Sequence, residues 1–424
     1  SVQQVTKARI GKDVQWVRND QERAALVQHV DELLKEPLSA DNVVQIALLN
    51  NKKLQSAFFD LGISEADLVQ ASRLPNPSFS MLYASHDGEY KIEQSLTFNI
   101  FALVTMPLAR EVERRRFEQT KKLATIEVLR LASDTRKAYF NAIAAEQSVA
   151  YMEQVQRATE ASAELAQKMV QAGNFSTLDQ AREQAFYAEA AAQQARARQN
   201  AVTAREQLIR LMGLWGGQTA FKLPERLPDL PTTPRDQPNI EAQAMQQRID
   251  LQALKQDMDA LAKNLGLAKT TRFINVLEFG PARVLEGKRS DPYKTGYTVS
   301  FELPIFDFGT AKVAKAEAIY MQSFNRAVEA AVNARSEVRE AYSNYRTSYD
   351  LAKHYRDEIV PLRKRIADEN QLRYNGMLMS VFELLSDAQS QIVSVNSYIE
   401  ALRDFWVAQA NLDMVMTSKP SAGN

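Results

Sequence analysis

Phe301-Glu302-Leu303-Pro304-Ile305-Phe306-Asp307-Phe308-Gly309 closes a run in which Tyr297, Val299, Phe301 and Leu303 alternate with Thr298, Ser300 and Glu302. Alternation with a period of two describes a strand with one apolar and one polar face. Beyond Gly309 the pattern becomes helical, and Thr310–Asn375 reads as one long helix. The step from strand to helix at Pro304 has a counterpart at Pro107, in Val104–Arg110 (VTMPLAR), 197 residues earlier. Leu54-Gln55 recurs as Leu251-Gln252 at the same separation of 197. Gly173, in VQAGNFSTL, answers Gly376, in RYNGMLMSV, at a separation of 203, so the second long helix carries about six extra residues. The chain is an internal duplication, and the duplication governs the fold.

Each copy holds a hairpin. In the first, Phe79, Met81 and Tyr83 alternate with Ser78, Ser80 and Ala84, His86-Asp87-Gly88-Glu89 supplies a turn, and Ile92, Gln94, Leu96, Phe98 and Ile100 alternate with Glu93, Ser95, Thr97 and Asn99. The expected strands are Ser78–Ser85, Ile92–Phe101, Arg272–Phe279 and Lys294–Leu303, with a long polar loop over Gly280–Tyr293. Strands of about 9–11 residues with this alternation suit an outer-membrane barrel. They suit a half-exposed sheet in water as well, and the strands alone leave both open.

The helices are longer than an ordinary domain needs. From Arg110 to Ala172 there is neither proline nor glycine, and apolar residues recur at threes and fours. At 1.5 Å per residue that run is about 95 Å long. Gly173-Asn174 breaks it and Ser176–Leu211 returns; in the second copy the break is Gly376 and Ser380–Met416 returns. An ascending helix over Ser39–Ser72, laid end to end with the returning helix, matches the length of the descending one. The organisation expected is an N-terminal arm (1–38) packing near mid-shaft, irregular but for a short helix around Gln21–Lys35, then a first repeat (39–212) with its tip near 173–178. A proline-rich linker (213–239), a second repeat (240–417) with its tip near 376–381, and a tail (418–424) follow. Pro224, Pro228, Pro231, Pro234 and Pro238 make the linker extended and semi-rigid. The returning helix of the first copy is rich in alanine, with Ala181, Ala185, Ala188, Ala190, Ala191, Ala192, Ala195, Ala197, Ala201 and Ala204, which allows close approach of a neighbouring helix.

Composition excludes several classes. Lys plus Arg (52) equals Asp plus Glu (52), so no basic field favours nucleic acid. There is no cysteine, and the three histidines are far apart, which argues against thiol chemistry, a resident metal or another cofactor. No nucleophile–base pairing or phosphate loop appears, so no enzymatic activity is expected. No run approaches the roughly 20 apolar residues of a spanning helix, and no secretory leader pattern is seen. Most acidic residues read as solvated faces of long helices. Asp179, Glu383 and Asp387, beside the two turns, are the candidates for an acidic aperture, with Arg182 and Arg373 as their ion-pair partners.

The order of helix, hairpin, full-length helix, glycine turn and returning helix, present twice, resembles the TolC-type outer-membrane factor family. The strings Ala172–Glu189 (AGNFSTLDQAREQAFYAE), Phe301–Gly309 and Arg373–Gln389 (RYNGMLMSVFELLSDAQ), with the LPERLPDLP linker, carry the resemblance over residues from about 40 to 416. It implies a mainly α chain with a small β part: two repeats, each a hairpin plus long antiparallel coiled-coil helices. It further implies a homotrimer whose 12 strands form one outer-membrane β-barrel on a periplasmic α-helical tunnel of a Gram-negative bacterium. Its partners would be a periplasmic adaptor, an inner-membrane transporter and outer-membrane lipid. The role implied is a passive exit duct of a tripartite efflux system. In that frame Tyr297, Val299 and Phe301 face lipid, Pro107 and Pro304 mark the strand–helix junctions, and Gly173, Asp179, Gly376, Glu383 and Asp387 lie at the periplasmic aperture. Gly376 is followed by Glu383 and Asp387 where many members carry an aspartate about nine residues on, so the gate carboxylate stays open between the two. A type I protein secretion duct, a metal-cation efflux channel with Met377 and Met379 near the tip, and, in a different class, a soluble coiled-coil scaffold remain as alternatives.

Overall fold

The structure is a computed structural model that describes residues 2–271, 276–303 and 305–419. In chain order it contains α1 (Val2–Ile10), α2 (Asp20–Leu33), α3 (Ala40–Asn50), α4 (Lys52–Ala71), β1 (Ser78–His86), β2 (Glu89–Asn99), α5 (Ile100–Gln171) and α6 (Thr177–Met212). After the linker come α7 (Ile240–Gln247), α8 (Ile249–Thr270), β3 (Leu277–Gly287), β4 (Lys294–Phe301), α9 (Thr310–His354), α10 (Val360–Asn375) and α11 (Val381–Val415). The fold is mainly helical with a small sheet part, and the duplication is plain in the element order. The contacts define two compact units, each drawing on both repeats: one is Ser1–Ser56, Thr125–Arg248 and Asn333–Asn424, the other Ala57–Ala124 and Ile249–Val332.

In the second unit the four strands form one antiparallel sheet in the order β1-β2-β3-β4. The register sets Phe79 opposite Leu96 and Pro281 opposite Tyr297, while Phe98, Phe279 and Val299 form a row across three strands. Directly opposed residues share a face, so the apolar sets expected of the separate strands fall on one side. Ser80 and Ser95, on the other side, are hydrogen bonded at 2.7 Å. Phe79, Met81, Tyr83, Tyr297, Val299 and Phe301 are all exposed.

Several strand limits differ from expectation: β1 runs one residue further, to His86, β2 begins at Glu89 rather than Ile92, and β4 stops at Phe301 rather than Leu303. β3 runs Leu277–Gly287, so most of the polar loop is strand, and the connection to β4 is short, closed by Asp291 Oδ2 accepting from Lys288 N at 2.9 Å. The Gly280-Pro281 pair suggested a loop, but here it marks a close approach of strands. A Cβ on Gly280 would lie 1.7 Å from the carbonyl oxygen of Leu96, so only glycine fits. Residues 272–275, where the strand was expected to begin, lie outside the described residues. β2 stops at Asn99 rather than Phe101, because the Asn99 side chain accepts from Ala102 N at 2.7 Å and starts α5. Pro107 therefore lies inside α5, not at the strand–helix junction. Pro304, the other junction, lies outside the described residues.

The first unit holds the main core. Val43, Ile46, Ala142, Ile143, Leu208, Met212, Val338, Phe405 and Leu412 are buried together. Phe405 is fully buried, with the rings of Tyr345, Tyr349 and Trp406 at 5.5, 5.7 and 5.1 Å. A side chain of that size contributes about 1.5–3 kcal/mol on burial. The linker lies against this core through Leu214, Phe221, Leu227 and Leu230. Its backbone polar groups find side-chain partners: Tyr349 donates to the carbonyls of Pro231 and Thr232 (3.1 and 2.8 Å), Arg235 N donates to Tyr345 (2.9 Å), and Trp406 donates to Pro228 (3.0 Å). Tyr342, Tyr345 and Tyr349 share one face of α9, so a helical stripe of hydroxyls holds a chain too proline-rich to bond to itself.

Three helical expectations are corrected. The arm is not irregular at its start, since α1 is a helix with Val2 and Thr6 buried. The ascending helix is broken at Asn51, and its counterpart at Arg248. The second descending helix is interrupted by a π-helical turn at Tyr355–Ile359 before α10, with Pro361 at the start of the latter. Proline cannot donate to the preceding turn, and an inserted residue is accommodated as a wider loop of helix.

Candidate functional site

Both tips of the helical hairpins lie in the first unit and are built alike. At the first, α5 ends in a left-handed residue, Gly173 (φ 76), whose N–H donates to Val170 O at 3.0 Å while Asn174 N donates to Met169 O at 2.9 Å. This paired closure satisfies the last carbonyls of the helix, and the positive φ is what demands glycine. At the second tip the same two bonds run from Met377 N to Tyr374 O and from Leu378 N to Arg373 O, each 2.9 Å. The left-handed residue is therefore Met377 (φ 57), while Gly376 stays at φ −82. Gly376 belongs to the turn but does not carry its strained position. The structural equivalence is Gly173 with Met377, a separation of 204.

That shift aligns the acids. Ser176 caps α6, accepting from Asp179 N at 3.0 Å and donating to Asp179 Oδ2 at 2.6 Å. Ser380 caps α11, accepting from Glu383 N at 3.2 Å, while Glu383 Oε2 accepts from Ser380 N at 3.0 Å. Asp179 and Glu383 thus sit at equivalent places where negative charge meets the positive end of a helix. The Ser380 backbone N–H, then its hydroxyl, holds the Glu383 carboxyl below the usual carboxylate range. Arg182 pairs with Asp179 at 3.3 Å. Arg373 has no carboxylate within the 4.0 Å of an ion pair among the described residues, and acts on Glu383 through its field alone.

One turn further in, Asp387 accepts from Asn370 of the facing helix α10. Its equivalent is Glu183, 204 residues earlier, which is buried and accepts from Ser162 of α5 at 2.8 Å. Glu183 was not among the candidates, because the separation of 203 drawn from the two glycines pairs it with the wrong residue; the serine caps Ser176 and Ser380 were the signal that would have found it. Each tip therefore carries a capping acid and a bridging acid. Around them Leu165, Leu178, Leu372, Met377 and Leu378 are apolar and exposed, Met377 at 94%.

Within one chain five of the ten alanines expected to pack closely are exposed, Ala181, Ala185, Ala188, Ala192 and Ala195, while four are half-buried and Ala190 is buried. The exposed ones are ordered. Leu178, Ala181, Ala185, Ala188, Ala192, Ala195, Gln199 and Val202 follow one another at alternating steps of three and four, and all are exposed. That is coiled-coil spacing on a face left exposed within the chain.

No group of three or more metal-binding side chains occurs among the described residues, nor does a helix long and apolar enough to cross a membrane. A sheet with one exposed apolar face, two capped helical tips and long antiparallel helices, present as a duplication, is the architecture of an outer-membrane efflux channel protomer. Residues 43–214 match the model of the outer membrane efflux protein family. The fold is similar to that of the Campylobacter jejuni CmeC outer membrane channel (TM-score 0.76, 17% identity, covering 89% of this chain and 85% of that one). It is similar also to the open state of the Neisseria gonorrhoeae MtrE outer membrane channel (TM-score 0.72, 18% identity, 89% and 88%). The Vibrio cholerae outer membrane protein VceC matches at TM-score 0.74, 13% identity, and 89% and 95% coverage. No curated protein matches the chain by sequence. The family matched is one of outer-membrane channels rather than of enzymes.

Proposed function

We propose that the chain is the outer-membrane exit duct of a tripartite efflux system, conducting substrate passively from an inner-membrane pump and its periplasmic adaptor to the exterior as a homotrimer. The observation that carries this reading is the sheet with one exposed apolar face and two free edges, β1 and β4. An open edge in lipid leaves backbone groups unpaired at several kcal/mol each, and four strands cannot close on themselves. Three copies joined β1 to β4 give 12 strands. The exposed seam along α6 supports the same assembly, since small residues at coiled-coil spacing admit a helix of the next copy. The exposed apolar residues at the tips fit the adaptor.

The chain contains no native cysteine, so engineered pairs report cleanly. Ser80→Cys with Thr298→Cys, and neighbouring pairs along β1 and β4, should give disulfide-linked trimers in outer-membrane fractions. A strain lacking its own exit channel should regain resistance to exported compounds when this chain is produced with its pump and adaptor. A monomeric product found in the aqueous fraction would end this reading and favour the scaffold. Secretion of a protein, or tolerance of a metal cation, without export of small organic compounds would redirect the cargo.

A further inference from the structure

The exposed apolar surface of the second unit does not stop where the sheet ends. After β4, Leu303, Ile305, Phe306 and Phe308 are 62%, 64%, 99% and 55% exposed. The bend that carries them is held from within: Ile305 N donates to Leu303 O at 2.8 Å, and Gly309 N donates to Asp307 Oδ1 at 2.8 Å. Two turns of α9 follow with Lys312 and Lys315, both exposed and without an ion pair among the described residues. The first copy repeats the chemistry on a different backbone. Val104 (73%) and Leu108 (42%) are exposed on the opening turns of α5, and the exposed Arg110 follows, again without an ion pair among the described residues. Apolar side chains continuous with an exposed apolar sheet face, bordered on the helix side by unpaired cations, match the acyl and headgroup layers of a bilayer in order.

We propose that these two strand-to-helix steps form a binding surface for anionic phospholipid in the periplasm-facing leaflet. Ile305, Phe306, Phe308, Val104 and Leu108 enter the acyl boundary, and Lys312, Lys315 and Arg110 hold the phosphates. The proposal rests on the membrane placement of the sheet given above. A second copy of the chain is the competing occupant; a phosphate layer supplies along its whole extent the counter-charge that Lys312 and Lys315 lack among the described residues. Long basic side chains reach a headgroup while their stems cover apolar surface. Each cation near an anionic surface is worth about a fivefold preference.

The test uses the full chain in vesicles of phosphatidylethanolamine with either phosphatidylglycerol or phosphatidylcholine. Single cysteines at Phe306, at Val299 and at Leu378 carry a spin label, and depth is read from collision with oxygen against a water-soluble nickel chelate. The Val299 label should be deep, the Leu378 label aqueous and the Phe306 label at the boundary. Native mass spectrometry should show phosphatidylglycerol retained over phosphatidylcholine, with roughly fivefold less preference for each of Lys312→Gln and Lys315→Gln. A deep Val299 label with a fully aqueous Phe306 label overturns this proposal and leaves the duct intact. So does a Phe306 label shielded from both reagents, which places it against protein. Phosphatidylglycerol retention unchanged in both glutamine variants overturns the anionic site. An aqueous Val299 label overturns the membrane placement and this proposal with it.

Discussion

Asn51 and Arg248 occupy the same position in the two repeats and perform the same act with different chemistry. Each is the single extended residue between two helices, at φ −64 with ψ 122 and 120 respectively. Each side chain reaches the last turn of the returning helix: Asn51 Nδ2 donates to Leu211 O at 2.9 Å, and Arg248 to Val415 O at 3.5 Å. Arg248 is 1% exposed and also pairs with Glu337 at 2.8 Å. The seam where an ascending helix changes course is thus closed by an amide in one copy and by a buried cation in the other.

Removing one partner of a buried pair takes counter-charge from a cation that water does not reach. Glu337→Ala should cost about 3 kcal/mol. Arg248→Met, which deletes the buried cation itself, should cost less. Thermal unfolding of the detergent-solubilised protein, followed by circular dichroism, ranks the two, and the reverse order would mean that Glu337 contributes little to holding Arg248.

Met377 is held in a left-handed conformation that disfavours any side chain with a Cβ, and nothing covers it. Met377→Gly should relieve about 1 kcal/mol, whereas Gly173→Ala should introduce a similar strain at the other tip. Hydrogen exchange of the amides over 372–380 and 169–176 should slow in the first variant and quicken in the second. Equal exchange in the parent and both variants would show that the two turns do not control the tips.

Much of this was legible because the chain is duplicated and because strands alternate strictly. Phe98 and Val299 could be assigned a face before any pairing was known, whereas Phe279 joins their row only through the register. Asn51 and Arg248 were not legible as breaks, since neither is glycine or proline and their role depends on carbonyls about 160 residues away in sequence. Gly280-Pro281 misled for a different reason: the pair usually interrupts a strand, but here the glycine is needed because Leu96 presses on it. At the second tip the eye goes to Gly376, while the serine cap and the paired closure fix the left-handed position one residue on. The partners of Asp387 and Glu183 are set by the facing helix, and helix pairing leaves no local mark in the sequence.

The seam on α6 makes a prediction about assembly. Ala188→Leu adds bulk at a position meant for close approach, and overpacking of that kind costs about 1–3 kcal/mol at each site. Trimers should dissociate at lower temperature on semi-native gels, while Ala190→Ser, on the buried side within the chain, should leave the trimer-to-monomer ratio unchanged. A trimer indifferent to Ala188→Leu would place the contact between copies on another helix.

Glu383 links the second tip to pH. Its carboxyl is depressed in the folded chain, so its stabilisation of the start of α11 is complete above the unfolded carboxylate range and disappears as pH falls through the lower folded value. Protection of amides just after Ser380, relative to the intrinsic exchange rate at each pH, should therefore be high at neutral pH and fall on acidification below about pH 4. Ser380→Ala should reduce that pH dependence, because it deletes the hydroxyl bond to the carboxylate and leaves the backbone one. A loss of protection of the same size in the parent and in Ser380→Ala would assign it to another carboxyl.

Conduction tests whether the tips are the aperture. Asp179 and Glu383 are engaged with their own helix ends but remain charged, and a threefold assembly would repeat them and Asp387 around one axis. Like charges at close quarters repel unless a cation or an arginine intervenes. Asp387→Asn keeps the shape that meets Asn370 while removing the charge, so in planar bilayers it should lower cation selectivity without opening the channel. Glu383→Ala with Asp387→Ala should lower selectivity further and loosen the tip as well. Arg373 forms no ion pair among the described residues, so Arg373→Ala should raise resting conductance only if Arg373 meets a carboxylate of a neighbouring copy. A rise assigns the lock to the contact between copies, and an unchanged resting current leaves it with Arg182 and Asp179. If both acidic variants keep parental selectivity, the narrowest ring is not formed by these tips.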